Sequence, residues 1–250
     1  MGTTPSESKG PWLLLVGLLL GTSCSTPGRL AWSHPDTAEW PALQRRLADE
    51  RDARPRDPWA AVVRVTMREP RSGHVVDGRG AIAVAPGRAV RMILVGGAGL
   101  TLLDAWVARR GWRFAVPSAE VVRRGGASDD PVDLPIGFLR WWFFTPLGGT
   151  LFAATQTDSG PQWLLRDGDA VIELLESACD SGRLLVATRR FSGHSEVVRE
   201  CRAPTLHAGD WVEYKDETSG LGIRLVIESV ADGPPEEGAF GDPDAAQGGT

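Results

Sequence analysis

From Trp59 onward, apolar and polar residues alternate with a period of two through most of the chain. Ala61, Val63, Val65 and Met67 share one side, and Val62, Arg64, Thr66 and Arg68 the other, which is the pattern of a half-buried strand. Similar runs follow at 75–85, 89–95, 100–107 and 112–116, with a short one near 120–123. A later series covers 163–166, 170–175, 183–191, 196–201, 211–215 and 221–230. Pro86-Gly87-Arg88, Gly96-Gly97-Ala98-Gly99, Arg109-Arg110-Gly111 and Asp167-Gly168 separate neighbouring runs. Connections this short suit hairpins and an antiparallel meander, not parallel crossovers.

Two segments break the alternation. Residues 36–49 follow a helical period, with Asp36 or Thr37 as the cap. Trp40, Leu43 and Leu47 fall on one side of that helix, and Arg45, Arg46 and Glu50 mostly on the other. Residues 136–147 (Ile-Gly-Phe-Leu-Arg-Trp-Trp-Phe-Phe-Thr-Pro-Leu) predict a short, very apolar helix stopped by Pro146 and Gly148. The fold class is therefore β-rich α+β, with about 10–11 antiparallel strands in one domain over 36–230. Residues 231–250 are rich in Gly, Pro and acid and predict a flexible acidic tail.

Composition adds location more than chemistry. Lys and Arg number 27 against 32 Asp and Glu, a net charge of −5, which leaves no general footprint for nucleic acid. Residues 11–20 form an apolar run too short to span a bilayer but suited to the core of a secretory signal. Cys24 follows it at once, behind Gly21-Thr22-Ser23, and this resembles the bacterial lipobox, whose cysteine becomes a lipidated N-terminus. Gly21 departs from that pattern, which usually has Leu there. The alternative is an ordinary secretory signal cut nearby. The expected organisation is a signal peptide over 1–23, a lipidated Cys24 and tether over 24–35, then the domain. Of the three cysteines, Cys179 and Cys201 would remain, either as a disulfide in an oxidising envelope or as two separate buried thiols.

Catalytic signatures are nearly absent. There is no Gly-x-Ser-x-Gly elbow, His-Glu-x-x-His, phosphate-cradling glycine motif or Cys-x-x-Cys. His194-Ser195-Glu196 holds suitable residue types, but consecutive strand residues point apart. Asp129, Asp130 and Asp133 lack the glycine and glutamate of a calcium loop and read as solvated loop acids. The expectation is a protein that is not an enzyme and needs no metal or cofactor. Trp141, Trp142, Phe143 and Phe144 are the sharpest remaining signal: four consecutive rings cover more than half of a helix's circumference. They predict a sandwiched core helix, a cavity wall or a bilayer contact.

Residues 63–124 carry a family resemblance. Gly78-Arg79-Gly80, then Ala85-Pro86-Gly87-Arg88-Ala89-Val90-Arg91-Met92, then Gly111-Trp112-Arg113-Phe114-Ala115-Val116-Pro117 resemble the LolA/LolB-like lipoprotein-carrier superfamily. The leading helix, mid-chain helix and later strands extend the likeness over most of 36–230. It implies a curved, half-open antiparallel sheet, a half-barrel whose helices plug the concave side and whose cavity takes acyl chains. Candidate ligand contacts are Trp106, Trp112, Phe114, Trp141, Trp142 and Phe143. LolB-type receptors carry an apolar residue on a projecting loop between early strands. The matching loop here, Gly96-Gly97-Ala98-Gly99, has no large apolar tip, which speaks against lipoprotein insertion.

Together these readings predict an outer-membrane envelope lipoprotein, held by membrane lipid through Cys24. Its half-barrel would bind an acyl chain or lipoprotein cargo. The rival is a structural or assembly lipoprotein that docks a protein partner.

Overall fold

The computed structural model describes residues 32–34, 37–96 and 99–244. Cys24 and the expected signal peptide lie outside the described residues, as does all of the expected tether except 32–34.

The alternating runs form thirteen strands among the described residues. The first six are β1 (Trp59–Arg68), β2 (Val75–Ala85), β3 (Ala89–Val95), β4 (Thr101–Ala108), β5 (Gly111–Val116) and β6 (Val121–Gly126). The others are β7 (Thr150–Thr157), β8 (Gly160–Asp167), β9 (Ala170–Cys179), β10 (Gly182–Phe191), β11 (His194–Arg202), β12 (Trp211–Asp216) and β13 (Gly222–Val230). They make one sheet in the order β6-β5-β4-β3-β2-β1-β13-β12-β11-β10-β9-β8-β7. Every neighbouring pair is antiparallel. The ends β6 and β7 are not neighbours, so the sheet is an open half-barrel rather than a closed barrel. The count exceeds the expected 10–11 because the short run near 120–123 is a full strand, β6, and because β7 gave no clear alternation.

This order dictates where the greasy segment goes. The chain reaches one edge of the sheet at β6 and must resume at the opposite edge with β7. Residues 127–149 make that crossing over the inner face. Their middle is α2 (Ile136–Phe138), which widens into a π-helical stretch over Leu139–Phe144. The Thr145 N–H donates to the Arg140 carbonyl five residues back, so the segment is not the regular helix to residue 147 that the sequence predicts. Ile136, Phe138, Leu139, Trp141, Trp142 and Phe144 are all buried. Phe138 stacks on Tyr214 of β12, and Phe143 meets Trp59 of β1 edge-on. The crossing segment is the plug.

The leading helix, α1 (Trp40–Asp52), covers the other arm of the sheet. Trp163 of β8 donates its Nε1–H to the Leu43 carbonyl at 2.9 Å, and Arg51 donates to the carbonyls of Leu147 and Gly149. The helix starts later than the sequence predicts. Its N-cap is Glu39 with no side-chain cap bond; Thr37 lies before it, its hydroxyl donating to the His34 carbonyl, and Asp36 lies outside the described residues. Glu50, expected mostly on the polar side, is buried against Arg183 and Arg202. Ser33 forms a backbone bridge to Ala154, which covers part of the β7 edge.

Cys179 and Cys201 are joined in a disulfide that ties the β9–β10 turn to the end of β11. The expected tail also has structure as far as Asp244. Phe240 is buried against Ala85 and Ala89, and Trp106 donates to its carbonyl at 3.0 Å.

Candidate functional site: an apolar cavity and its rim

The arm β1–β6 has more inner surface than the plug covers. Alternation turns Phe114 and Val116 of β5 inward, beside Met67 of β1, Val76 of β2 and Leu94 of β3. On β4 a bulge does the work. Leu94 pairs with Leu103 and Val95 with Thr101, so Leu102 is the extra residue and both leucines line the same space. Leu134, Pro135 and Leu221 close the side toward the plug. These residues bound a cavity of about 660 Å³. That is within the ~300–1,000 Å³ range of small-molecule sites.

The cavity lies at one end of the sheet. The β1–β2, β3–β4 and β5–β6 connections all fall there, because consecutive antiparallel strands bring every second turn to the same end. Of the five exposed large apolar residues among the described ones, four lie at this end: Val121 on the cavity side, Val75 and Val122 on the other side of the sheet, and Leu100, which is 67% exposed; the fifth is Val132 in the crossing segment. Gly97 and Ala98 lie outside the described residues, but Leu100 directly follows that loop. Exposed apolar side chains at the end of the sheet that holds an apolar cavity cost free energy in water unless something greasy meets them.

Polar groups around the cavity are already paired with one another. Arg123 holds Asp133 at 3.1 Å. Glu69 accepts from the Ser72 hydroxyl and from the N–H groups of Ser72 and Arg71, which holds its carboxyl below the usual range. Such a lining solvates hydrocarbon and offers little that would react with it.

The six expected ligand contacts do not share one space. Phe114 lines the large cavity. Trp112 is buried on the same side, its ring over Gly125 and its Nε1–H on the Asp129 carbonyl at 2.5 Å. Trp106 faces the other side of the sheet, since it pairs in register with Arg113 while Ala105 pairs with Phe114. Trp141 packs edge-on against Trp142. Trp142 and Phe143 border a separate crevice of about 60 Å³. That holds a few waters at most and excludes an acyl chain. Trp142 also donates to Glu200 and lies 4.6 Å from the Arg54 guanidinium. The lining residues Leu102, Val116, Val121, Leu134 and Leu221 were not singled out in the sequence. Their one signal was strands apolar on both sides.

The loop acids are not free either. Asp130 takes a two-point contact from Arg140, and Asp133 pairs with Arg123. In His194-Ser195-Glu196 the side chains diverge as expected: Ser195 donates to Glu217 while Glu196 is buried on the inner side.

No family model and no curated protein sequence matches the chain. Among solved structures it is similar to a LolA superfamily protein from Nitrosomonas europaea, at 12% identity and a TM-score of 0.46, covering 80% of this chain and 97% of that one. An outer membrane lipoprotein-sorting protein domain from Vibrio parahaemolyticus is similar at 8% identity, with a TM-score of 0.45, over 79% and 97% of the two chains. A DUF1329 family protein from Desulfovibrio piger is similar at 11% identity, with a TM-score of 0.48, over 84% and 99%. The open half-barrel itself stands on the strand order and the crossing plug.

Proposed function

We propose that this protein is an envelope lipoprotein that binds an acyl chain, free or on a lipoprotein, in the cavity between β1–β6 and the plug. The observation that carries the reading is the cavity of about 660 Å³, walled by Leu94, Leu102, Leu103, Phe114, Val116 and Val121. Each methylene that leaves water there contributes ~0.8 kcal/mol, so affinity grows with chain length and depends little on the headgroup. Val121 on the cavity wall, with Leu100 at the same end of the sheet, gives the chain a greasy path from a membrane surface into the cavity. Attachment is assigned to Cys24, on the apolar run and Gly21-Thr22-Ser23 that precede it; no helix among the described residues is long and apolar enough to cross a membrane.

Native mass spectrometry of the purified protein tests the cargo. Acyl lipid is expected to copurify with wild type and to be lost from Leu102→Trp, whose indole would occupy the cavity. Equal lipid in both would place the ligand elsewhere. Cys24→Ala is expected to abolish incorporation of labelled fatty acid and to release the protein from membranes.

One observation favours a second reading. Strand β6 is an edge of the sheet and exposes Val121 and Val122, which suits addition of a partner's strand. Crosslinking from position 122 to protein in the envelope, with no copurifying lipid, would support that reading over the first.

A further inference from the structure

Another cavity, of about 300 Å³, lies between the plug, the loop before it and strands β10–β12. Asp130, Gly137, Arg140, Arg189, Glu196 and Tyr214 are among its lining residues. The acids and bases here do not pair off completely. Arg140 gives Nε to both oxygens of Asp130, at 2.9 and 2.8 Å, and Nη1 to the Ala108 carbonyl, but its buried Nη2 has no partner. Arg189 lies with its guanidinium 4.4 Å from the Phe191 ring centroid, and its buried Nε has no partner. The Glu196 side chain is 6% exposed, and its Oε2 accepts no hydrogen bond. Arg189 Nη1 stands 3.7 Å from that oxygen, outside hydrogen-bond reach.

Asp216, the register partner of Glu196 on β12, is fully buried; its Oδ1 accepts from the N–H groups of Thr218 and Ser219, and its Oδ2 has no partner. Arg140 cancels Asp130, and Arg189 cancels Asp216, so the group is neutral while Glu196 is protonated. The site thus offers two unused guanidinium N–H donors and an unused carboxyl oxygen. A metal ion accepts no hydrogen bond, and a simple anion donates none. A neutral polyol bonds to both sides, but a molecule with an ammonium and an acid group does so with charge-assisted bonds at both ends and brings no net charge.

We propose that this cavity binds a small zwitterion, with its ammonium on Glu196 and its acid group on Arg140 and Arg189. The same chemistry occurs in free aminoalkyl acids and in the headgroup of an aminoalkyl phospholipid. The proposal does not rest on the acyl-chain reading, because the two cavities have no lining residue in common.

Binding is linked to a proton. Burial, helped by the charges of Asp216 and Asp130 and opposed by Arg189 and the Tyr214 hydroxyl, raises the Glu196 carboxyl to about 7. His194 on the same strand stacks on Phe191, and Arg140 faces the cavity from the plug. An ammonium arriving at neutral pH therefore ionises Glu196 and expels its proton.

The test is calorimetry on the full chain in detergent, titrated with free phosphoethanolamine. Parallel titrations use dihexanoyl phosphatidylethanolamine and dihexanoyl phosphatidylglycerol below their micelle concentrations. Each is run in two buffers of different ionisation enthalpy, which reads the proton. Binding of free phosphoethanolamine assigns the site to a soluble molecule. Binding of the ethanolamine lipid over the glycerol lipid, without the free compound, assigns it to a headgroup. Either result supports the proposal when a fraction of a proton is released and Glu196→Gln weakens binding about thirtyfold or more. If Glu196→Gln does not fold, Arg189→Gln on the cavity wall carries the same comparison. Equal binding of the two lipids with none of the free compound overturns the proposal, and so does binding that survives these substitutions unchanged.

Discussion

Glu196 holds a proton that the unfolded chain would give up. A glutamate ionises near 4.5 when unfolded, and burial under the plug keeps Glu196 protonated up to about 7. Because the folded state binds the extra proton, stability is fully present below 4.5 and falls as pH rises through 7. The 2.5-unit difference corresponds to about 3 kcal/mol. Asp130 is shifted upward too, through burial, and acts in the same direction. Glu228, Asp242 and Asp244 are held below their usual range by hydrogen bonds from arginines, so their contributions are lost only on acidification below that range. Urea midpoints are thus expected to fall between about pH 5 and pH 8, and Glu196→Gln to remove most of the slope. A wild-type midpoint that is flat or rising over that interval would refute this account. None of it was legible from residue types alone. His194-Ser195-Glu196 read correctly as a diverging strand triplet, but the pressure on Glu196 comes from residues of three other elements.

Among the elements, strand β2 shows why the quoted glycines were a usable signal. A Cβ on Gly80 would sit 2.1 Å from the Ile93 carbonyl oxygen, and one on Gly78 would sit 2.6 Å from a Leu94 methyl. The obstacle at Gly80 is backbone, so Gly80→Ala must part β2 from β3 at the start of the cavity wall. It is expected to cost about 2 kcal/mol or more by urea denaturation. Gly222→Ala is the control, since its Cβ would meet only the Arg68 Cβ at 3.5 Å, an ordinary contact. Equal costs for the two would mean that close approach is not what selects glycine. The strands themselves were readable because burial on one side imposes a period of two. Strand β7 (Thr-Leu-Phe-Ala-Ala-Thr-Gln-Thr) escaped because Ala153, Ala154 and Thr155 are buried in succession beyond a register shift, which erases the period. The helix cap failed for another reason. The helix begins only at Trp40, with Glu39 as its N-cap, so Thr37 lies too early to cap it, and nothing in the spacing signals that delay.

Across the molecule, the arm that walls the large cavity is held from both sides, by the plug within and by the chain's end without. Residues 231–250 read as flexible because they are acidic and poor in apolar residues, and by composition alone that is correct. The partners that order residues up to Asp244 lie more than a hundred residues away. Arg124 binds Asp242 and Asp244, Arg113 reaches Asp244 at 3.1 Å, and Arg88 lies over the Phe240 ring at 4.8 Å. The ring fills a patch made of Ala83, Ala85, Ala89 and Ala108, where larger side chains would leave no room. Which force dominates can be decided. The Arg124 pairs are about 40% exposed and so contribute little individually, with further loss in salt. Burial of one phenyl ring contributes ~2 kcal/mol and is not screened. Cleavage after Glu236 and Glu237 by a glutamate-specific protease should therefore be slow in wild type and only modestly faster in ~1 M salt, where the Debye length is about 3 Å. It should be much faster in Phe240→Ala at any salt. A large salt effect with none from Phe240→Ala would make the clasp electrostatic instead. Release of the tail also frees the Trp106 Nε1–H from the Phe240 carbonyl, so tryptophan emission should shift to the red in the same variant.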